Sequence, residues 1–466
     1  MTRRYLSQTD TIMWTVEADP MLRSTIMGVA MLARAPRWKA TQQRVRHLID
    51  RVESLRQRVV PVPMRPNSLR WEDVDHVDLD YHLRRVGAPG KGTTRDLLDL
   101  ARSLAAVPFD RARPLWEFTL VDGLDGGGAA LLMKTHHVVT DGIGAVQLAM
   151  HLFDFAPNSP KVGDPAATET PARARAATGA WSMLRSAVGD ILDHDLRTAR
   201  NVVTRTAPTL IPSLTQAIRD PATALGGAVE TAKSVGRVVM PVLSTKSTVM
   251  TERSMDTFYD TIEISLEALH GAGAAAGGTL NDAFLGGITG GLRRYHEAHG
   301  TPVDELRVAM PVSLRSDADD EGGNHITVLR FAVPAGITEP AERVQALHEV
   351  GQQMRHERSL AHTESIAGVL NLMPRGVLGS MLKKIDFLAS NVPGSPVTAY
   401  LAGSKIERIF PFGPTSGSSM NVTLMSYDGI CCIGVHLDTA AVTDPDLMME
   451  CLHSGFAEVV ALADEG

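Results

Sequence analysis

Cysteine is scarce: the chain has three, and two of them, Cys431 and Cys432, are adjacent. No disulfide framework can be built from them, and a reducing compartment suits the chain best. Positive charge is also short, with Lys+Arg 46 against Asp+Glu 53 and a formal net charge of −7, so no bulk positive field exists to hold phosphate backbones and nucleic acid is not an expected partner. No run reaches the roughly 18 apolar residues of a membrane-spanning helix, and the basic pair in the opening MTRRYLSQTDTIMW is not followed by the apolar core of a signal peptide. These absences point to a cytoplasmic protein, with attachment to a membrane surface left open. No Gly-x-Ser-x-Gly window occurs, which removes the serine nucleophile elbow and disfavours a covalent acyl-enzyme. Neither His-Glu-x-x-His nor Cys-x-x-Cys spacing occurs, so no metal is expected. Gly90-Lys91-Gly92-Thr93 imitates a phosphate loop, but Arg85 stands where the first glycine belongs and Gly92 separates the lysine from the threonine.

What is present is ordinary globular material: 44% hydrophobic and 21% charged residues over 466 positions, enough for two or three cores. Residues 1–165 alternate short helix and strand signals, with residues 42–59 reading as one amphipathic helix. Residues 116–121 and 129–135 are β-rich runs around the turn-former cluster DGLDGGG and predict a hairpin. From Ile143 the apolar spacing is helical, so residues 136–142 join a strand to a helix, a place where rigid elements hold a loop in position. Residues 166–255 read as a helical, basic linker. Residues 171–250 carry 10 Lys/Arg against 5 Asp/Glu, with Trp181, Leu184, Val188 and Leu192 at helical spacing. This stretch fits a solvated connector or an interfacial membrane contact, and charge alone does not choose. In residues 256–466 a helix over 280–295 and apolar runs at 306–312, 326–333, 385–390, 420–427 and 432–437 predict a second mixed sheet. The fold class is α/β: two halves with mixed sheets and a small-molecule site at their interface.

The sharpest local signal is His136-His137-Val138-Val139-Thr140-Asp141-Gly142. Imidazole titrates near neutrality, so a positioned histidine can take a proton from an alcohol and return it to a leaving group, which is what acyl transfer to a hydroxyl requires. Strand alternation puts His136 and His137 on opposite faces, so one can reach a cleft while the other packs inward. Asp141 can hold the turn, and Gly142 lets the backbone turn tightly before the helix. Paired histidines at a strand end serve structural roles as well as catalytic ones, and spacing by itself does not separate the two.

With these residues in view, the chain resembles the bacterial wax ester synthase and acyl-CoA:diacylglycerol acyltransferase family. The likeness rests on the run 109–117 (FDRARPLWE), on His136-His137-x-x-x-Asp141-Gly142, on Leu6-Ser7-x-x-Asp10 and on Asn281-Asp282. It extends through Met310-Pro311-Val312-Ser313-Leu314-Arg315, Gly323-Asn324, Ser390-Asn391-Val392-Pro393-Gly394 and Asn421 to Ser426-Tyr427-x-Gly429. The His-His-Asp-Gly motif is shared with chloramphenicol acetyltransferases, plant acyltransferases and peptide-synthetase condensation domains. The Pro-Leu-Trp and Ser-Asn-Val-Pro-Gly elements point to the wax ester and triacylglycerol branch. The resemblance implies a two-domain, chloramphenicol acetyltransferase-like fold with an interface tunnel, acyl-CoA as co-substrate without further cofactor, and diacylglycerol or a fatty alcohol as acceptor. It also implies reversible contact with a membrane or lipid droplet, in a monomer or homodimer. It makes His137 the general base and His136 and Asp141 its motif partners, with Gly142, Pro114, Trp116, Asn281, Ser390 and Asn391 at the substrate-binding surface. Asn281 is open between oxyanion donor and helix cap, Pro114 and Trp116 between site wall and core. Two departures touch substrate choice: residues 247–260 lack the arginine-rich stretch usual before the Asn-Asp helix, and Ser395 interrupts the usual Gly-Pro. Two other readings stay beside the acyltransferase one: a non-catalytic lipid-surface protein, and a condensation-like enzyme fed by a carrier protein.

Overall fold

The computed structural model describes residues 5–62, 69–139, 142–157, 244–313, 326–355, 376, 379 and 382–464. Two six-stranded mixed sheets organise these residues. Strand β1 (Thr25–Leu32), helix α2 (Trp38–Arg51), β2 (Gln57–Pro61), β3 (Leu69–Asp73), α3 (Leu79–His82), β4 (Leu83–Gly87), α4 (Thr94–Ala106), β5 (Trp116–Asp122), β6 (Ala129–His136) and α5 (Gly142–Leu152) follow the opening helix α1 (Gln8–Val16). The second half supplies β7 (Thr257–Ser265), α6 (Leu266–Ala275), α7 (Leu280–Ala298), β8 (Glu305–Ser313), β9 (Ile326–Pro334), α8 (Pro340–Arg355) and β10 (Phe387–Val392). Beyond these come β11 (Tyr400–Leu401), β12 (Ser404–Phe412), β13 (Met420–Tyr427), β14 (Ile430–Asp438) and α9 (Pro445–Val460).

The sheet orders are β11-β12-β1-β6-β5-β4 and β7-β14-β13-β10-β8-β9. The first sheet is therefore not made by the N-terminal half alone. β12, from the second half, pairs antiparallel with β1, and its Ile406, Ile409, Phe410 and Phe412 belong to the first hydrophobic core. No sequence signal anticipates this exchange, because a strand's amphipathic pattern says which face is buried and not which sheet receives it. The crossing is close-packed: Tyr259 of β7 stacks on Phe412 at 4.3 Å between ring centroids. A Cβ on Gly434 of β14 would lie 1.9 Å from the Pro411 carbonyl oxygen. The second core lies between the other face of the second sheet and helices α6, α7 and α9, with Phe284, Ile288, Leu292, Leu452 and Phe456 at its centre.

The predicted hairpin is present as the β5–β6 pair, with Gly123, Gly126 and Gly127 at positive φ in its turn. The predicted helix over 42–59 is shorter than expected. α2 stops at Arg51, Val52 is extended, and residues 57–61 form a strand, since the β-branched pair Val59-Val60 before Pro61 favours extended backbone. The phosphate-loop imitation is filled from within the chain: Asp96, in a capping box with Thr93, accepts the N–H groups of Lys91 and Thr93 at 3.2 and 3.0 Å. No described helix is long and apolar enough to cross a membrane. The linker expected over 166–255 lies outside the described residues up to 243.

Gly434→Ala tests the crossing. Because its methyl group would meet backbone rather than a movable side chain, the variant is expected to lose about 2 kcal/mol or more of stability in urea unfolding, and an unchanged midpoint would show that β12 and β14 are not held in contact.

Candidate active site

Between the sheets lies a cavity of ≈ 270 Å³, walled by β1, β5, β6 and β12 of the first sheet and by β10 and β13 of the second, with α1 and α5 contributing Met13, Leu148 and Leu152. The β1–β6 register determines which side chains reach it. Ile26 pairs with Thr135 and Gly28 with Met133, and one step further His137 N–H donates to the Ser24 carbonyl at 2.8 Å. Cross-strand pairs share a face. Ser24, Ile26 and Gly28 accordingly line the cavity together with Met133, Thr135 and His137.

His136, between Thr135 and His137, is not in the lining. It is buried, accepts the Val138 N–H on Nδ1 at 3.1 Å, and holds Nε2 2.9 Å from Glu17 Oε1. Trp14 and Phe109 flank its ring at 5.7 and 6.0 Å between centroids. Burial pushes the Glu17 carboxyl up, but His136, the Ser24 N–H at 2.6 Å and Arg111 at 3.2 Å outweigh it and hold the group below its ordinary value of 4.5. Arg111 in turn lies over the Trp14 ring at 4.1 Å. Glu17 thus ties α1, the segment before β1 and the β6 end into one unit behind the cavity wall. An isolated glutamate seven positions after Asp10 carries no sequence pattern, and only the packing of α1 exposes its role.

The other expected residues are placed as follows. Asp141 lies outside the described residues, and Gly142 opens α5. Ser390 borders the cavity from β10, on the same face as Leu388 and Val392. Asn391 borders it near the strand end and donates from Nδ2 to Asn281 Oδ1 at 2.7 Å. Asn281 itself is not among the residues lining the cavity, so the structure sets it one hydrogen bond behind the wall. Nor is Asn281 the helix cap: Thr279 is, in a capping box with Asp282.

Trp116 is also outside the lining. It is fully buried, pairs across from Thr135, stacks on His82 at 4.5 Å and donates Nε1–H to the Leu55 carbonyl at 3.0 Å, while its neighbour Phe118 does line the cavity. Pro114 is buried in the approach to β5 and is not in the lining either; its carbonyl accepts the Trp116 N–H at 3.1 Å. Of the two places left open for them, the lining excludes Pro114 and Trp116: Trp116 shares the strand face of Phe118 and Thr135 and packs beside the cavity, 5.0 Å from the Phe118 ring between centroids. The indole N–H needs a buried acceptor, which the Leu55 carbonyl provides.

A buried apolar cavity spanning two mixed sheets, with an imidazole at a strand end on its wall, is the layout of a two-domain acyltransferase. In agreement, a family model described as the wax ester synthase/diacylglycerol acyltransferase catalytic domain matches residues 4–284, and the corresponding C-terminal domain matches residues 322–459. The chain belongs to the wax ester synthase/diacylglycerol acyltransferase family. A Mycobacterium tuberculosis H37Rv protein provisionally named a diacylglycerol O-acyltransferase is 36% identical over 466 residues, covering 98% of this chain and 92% of its own. A second so named from the same strain is 26% identical over 418 residues, covering 84% and 75%. Among solved structures, the wax ester synthase/diacylglycerol acyltransferase of Marinobacter aquaeolei VT8 superposes with a TM-score of 0.64 at 20% identity, over 99% of this chain and 100% of that one. The first condensation domain of the calcium-dependent antibiotic synthetase superposes with a TM-score of 0.63 at 14% identity, over 99% and 96%. The mixed α/β two-domain fold expected from the sequence is the fold of these proteins.

Glu17→Gln gives a pH test of the support behind His136. A carboxyl held below its unfolded value contributes stability that is complete above pH 4.5 and is lost as pH falls through the folded-state value. Wild type is therefore expected to exceed Glu17→Gln in urea midpoint at pH 7, with the gap closing below pH 4.5. A gap that stays constant over this range would show that the carboxylate charge contributes nothing.

Proposed function

We propose that this protein transfers a long-chain acyl group from acyl-CoA to diacylglycerol, making triacylglycerol, with a long-chain fatty alcohol as the alternative acceptor and wax ester as its product. The observation that carries this reading is His137 on the wall of an apolar cavity that both sheets enclose. His137 Nε2 takes the proton of the acceptor hydroxyl, and the oxygen attacks the thioester carbon. The tetrahedral intermediate then expels the CoA thiolate, and the imidazolium returns the proton to it, giving free CoA thiol and the new ester. No acyl-enzyme forms and no cofactor takes part. Low polarity around the imidazole suits the step, since a water-poor cavity protects the thioester from hydrolysis.

Asp141 is assigned to holding the motif turn, and His136, facing Glu17, to positioning the strand end that carries His137. The lining of Met, Leu, Ile and Phe suits an acyl chain, and an apolar pocket of this kind separates acceptors differing by a methylene by only about 1 to 3 kcal/mol. Because such acceptors reside in membranes, peripheral attachment at the cytosolic face or on lipid droplets belongs to the same proposal. The basic segment 171–250 is its candidate contact.

Thiol release from palmitoyl-CoA by purified protein, with dioleoylglycerol, hexadecanol or no acceptor, tests the reaction. Acceptor-dependent release is expected to fall by about 10² or more in His137→Ala; equal rates in wild type and variant would remove the catalytic assignment. For the attachment, neutralising the basic residues of 171–250 is expected to weaken binding to anionic vesicles, and unchanged binding would exclude that segment.

A further inference from the structure

Two hydroxyls flank His137 and have no task in the reaction as written. Ser24 is directly across from His137 on β1's approach, and Thr135 precedes it by two residues on β6, so all three side chains project from one face of the sheet. Both hydroxyl residues line the cavity and are nearly buried, at 5% and 6% exposure. Neither side-chain oxygen bonds to a described residue. On the opposite wall, Thr423 donates to Asn421 Oδ1 at 2.8 Å, and Asn421 donates to the Pro414 carbonyl at 2.7 Å. Deeper along the same face the wall becomes apolar at Ile26, Met133 and Phe118. Two hydroxyls beside the proposed base, open to the cavity in a largely apolar wall, are placed to bond an oxygen-bearing ligand.

We infer that Ser24 and Thr135 are specificity-determining residues that donate hydrogen bonds to an oxygen of the acceptor next to its reacting hydroxyl, and so select a glycerol-backbone acceptor over a simple alcohol. This rests on the reading of His137 as the base. A long-chain alcohol presents one oxygen, and its proton is already directed to His137. A diacylglycerol presents ester oxygens on the carbons beside the hydroxyl, within reach of donors placed around the same imidazole. Serine and threonine hydroxyls are suited to ester oxygens because each donates one hydrogen bond without bringing a charge into the apolar cavity.

The test compares wild type, Ser24→Ala, Thr135→Val and the double variant in thiol release from palmitoyl-CoA, with dioleoylglycerol and hexadecanol as separate acceptors. In the double variant kcat/KM for dioleoylglycerol is expected to fall about ten-fold relative to that for hexadecanol, the size of one to two neutral hydrogen bonds, while the hexadecanol value stays within about three-fold of wild type. Thr135→Ser is expected to retain the wild-type ratio. Equal losses on both acceptors would overturn the inference in favour of a general role at the reacting carbonyl or in folding, and no loss on either would overturn it outright. A wild type that uses hexadecanol alone would also overturn it. His137→Ala separates this from the underlying reaction: if that variant leaves both acceptors unaffected, the base assignment fails, whatever the hydroxyl variants do.

Discussion

The pairing of Thr25 with His136 is the constraint on which the site depends. Because side chains alternate along a strand, this one register sends Ser24, Thr135 and His137 into the cavity and His136 back toward Glu17. A slip by one residue would exchange the two imidazoles, placing His136 in the apolar cavity and setting His137 against a carboxylate. The backbone guards against this at three points: Leu115 accepts the His136 N–H at 3.0 Å, Ser24 accepts the His137 N–H at 2.8 Å, and the Glu17 carboxylate accepts the Ser24 N–H at 2.6 Å. The charged network behind the wall thus serves the geometry in front of it.

The second requirement is that the cavity have two walls. Donation of β12 to the first sheet joins the halves through backbone hydrogen bonds as well as side-chain contact. Residues just beyond β12, such as Gly413 and Pro414, then line the cavity beside Asn421 and Thr423 of β13. A Cβ at Gly413 would sit 2.5 Å from Asn421 Nδ2, so the turn that closes this side tolerates no side chain without rearrangement. His436, wedged beside this turn with Nδ1 2.8 Å from the Gly413 carbonyl, is pushed down to about 4 by burial, so it is neutral at physiological pH and acts as packing with one hydrogen bond. The interface is therefore built from small residues and neutral polar groups, which allow two sheets to approach closely without burying an unpaired charge.

Much of this was legible in the residues themselves. The glycine-rich hairpin, the strand ending in two histidines, the helix opening at Gly142 and the strands over 306–312, 420–427 and 432–437 all follow from period, turn chemistry and β-branched content, which are local properties. The opposite orientation of His136 and His137 follows from alternation alone. Less legible were Trp116 and Pro114: the motif that contains them marks the family, yet both are buried beside the cavity and outside its lining. Asn281 is similar, reaching the site only through Asn391. A motif records which residues act together and not which of them touch the ligand.

By itself the sequence determined the family, the two-sheet α/β class and the histidine poised at a strand end, because these rest on short-range patterns. Only the tertiary structure decided that Glu17 stands behind His136, that β12 belongs to the first sheet, and that Ser24 and Thr135 join His137 on one wall. Those relations link positions such as 17 and 136, or 27 and 412, whose separation along the chain carries no periodic signal. They come into being only when strand register and sheet crossing bring distant segments to within hydrogen-bond reach.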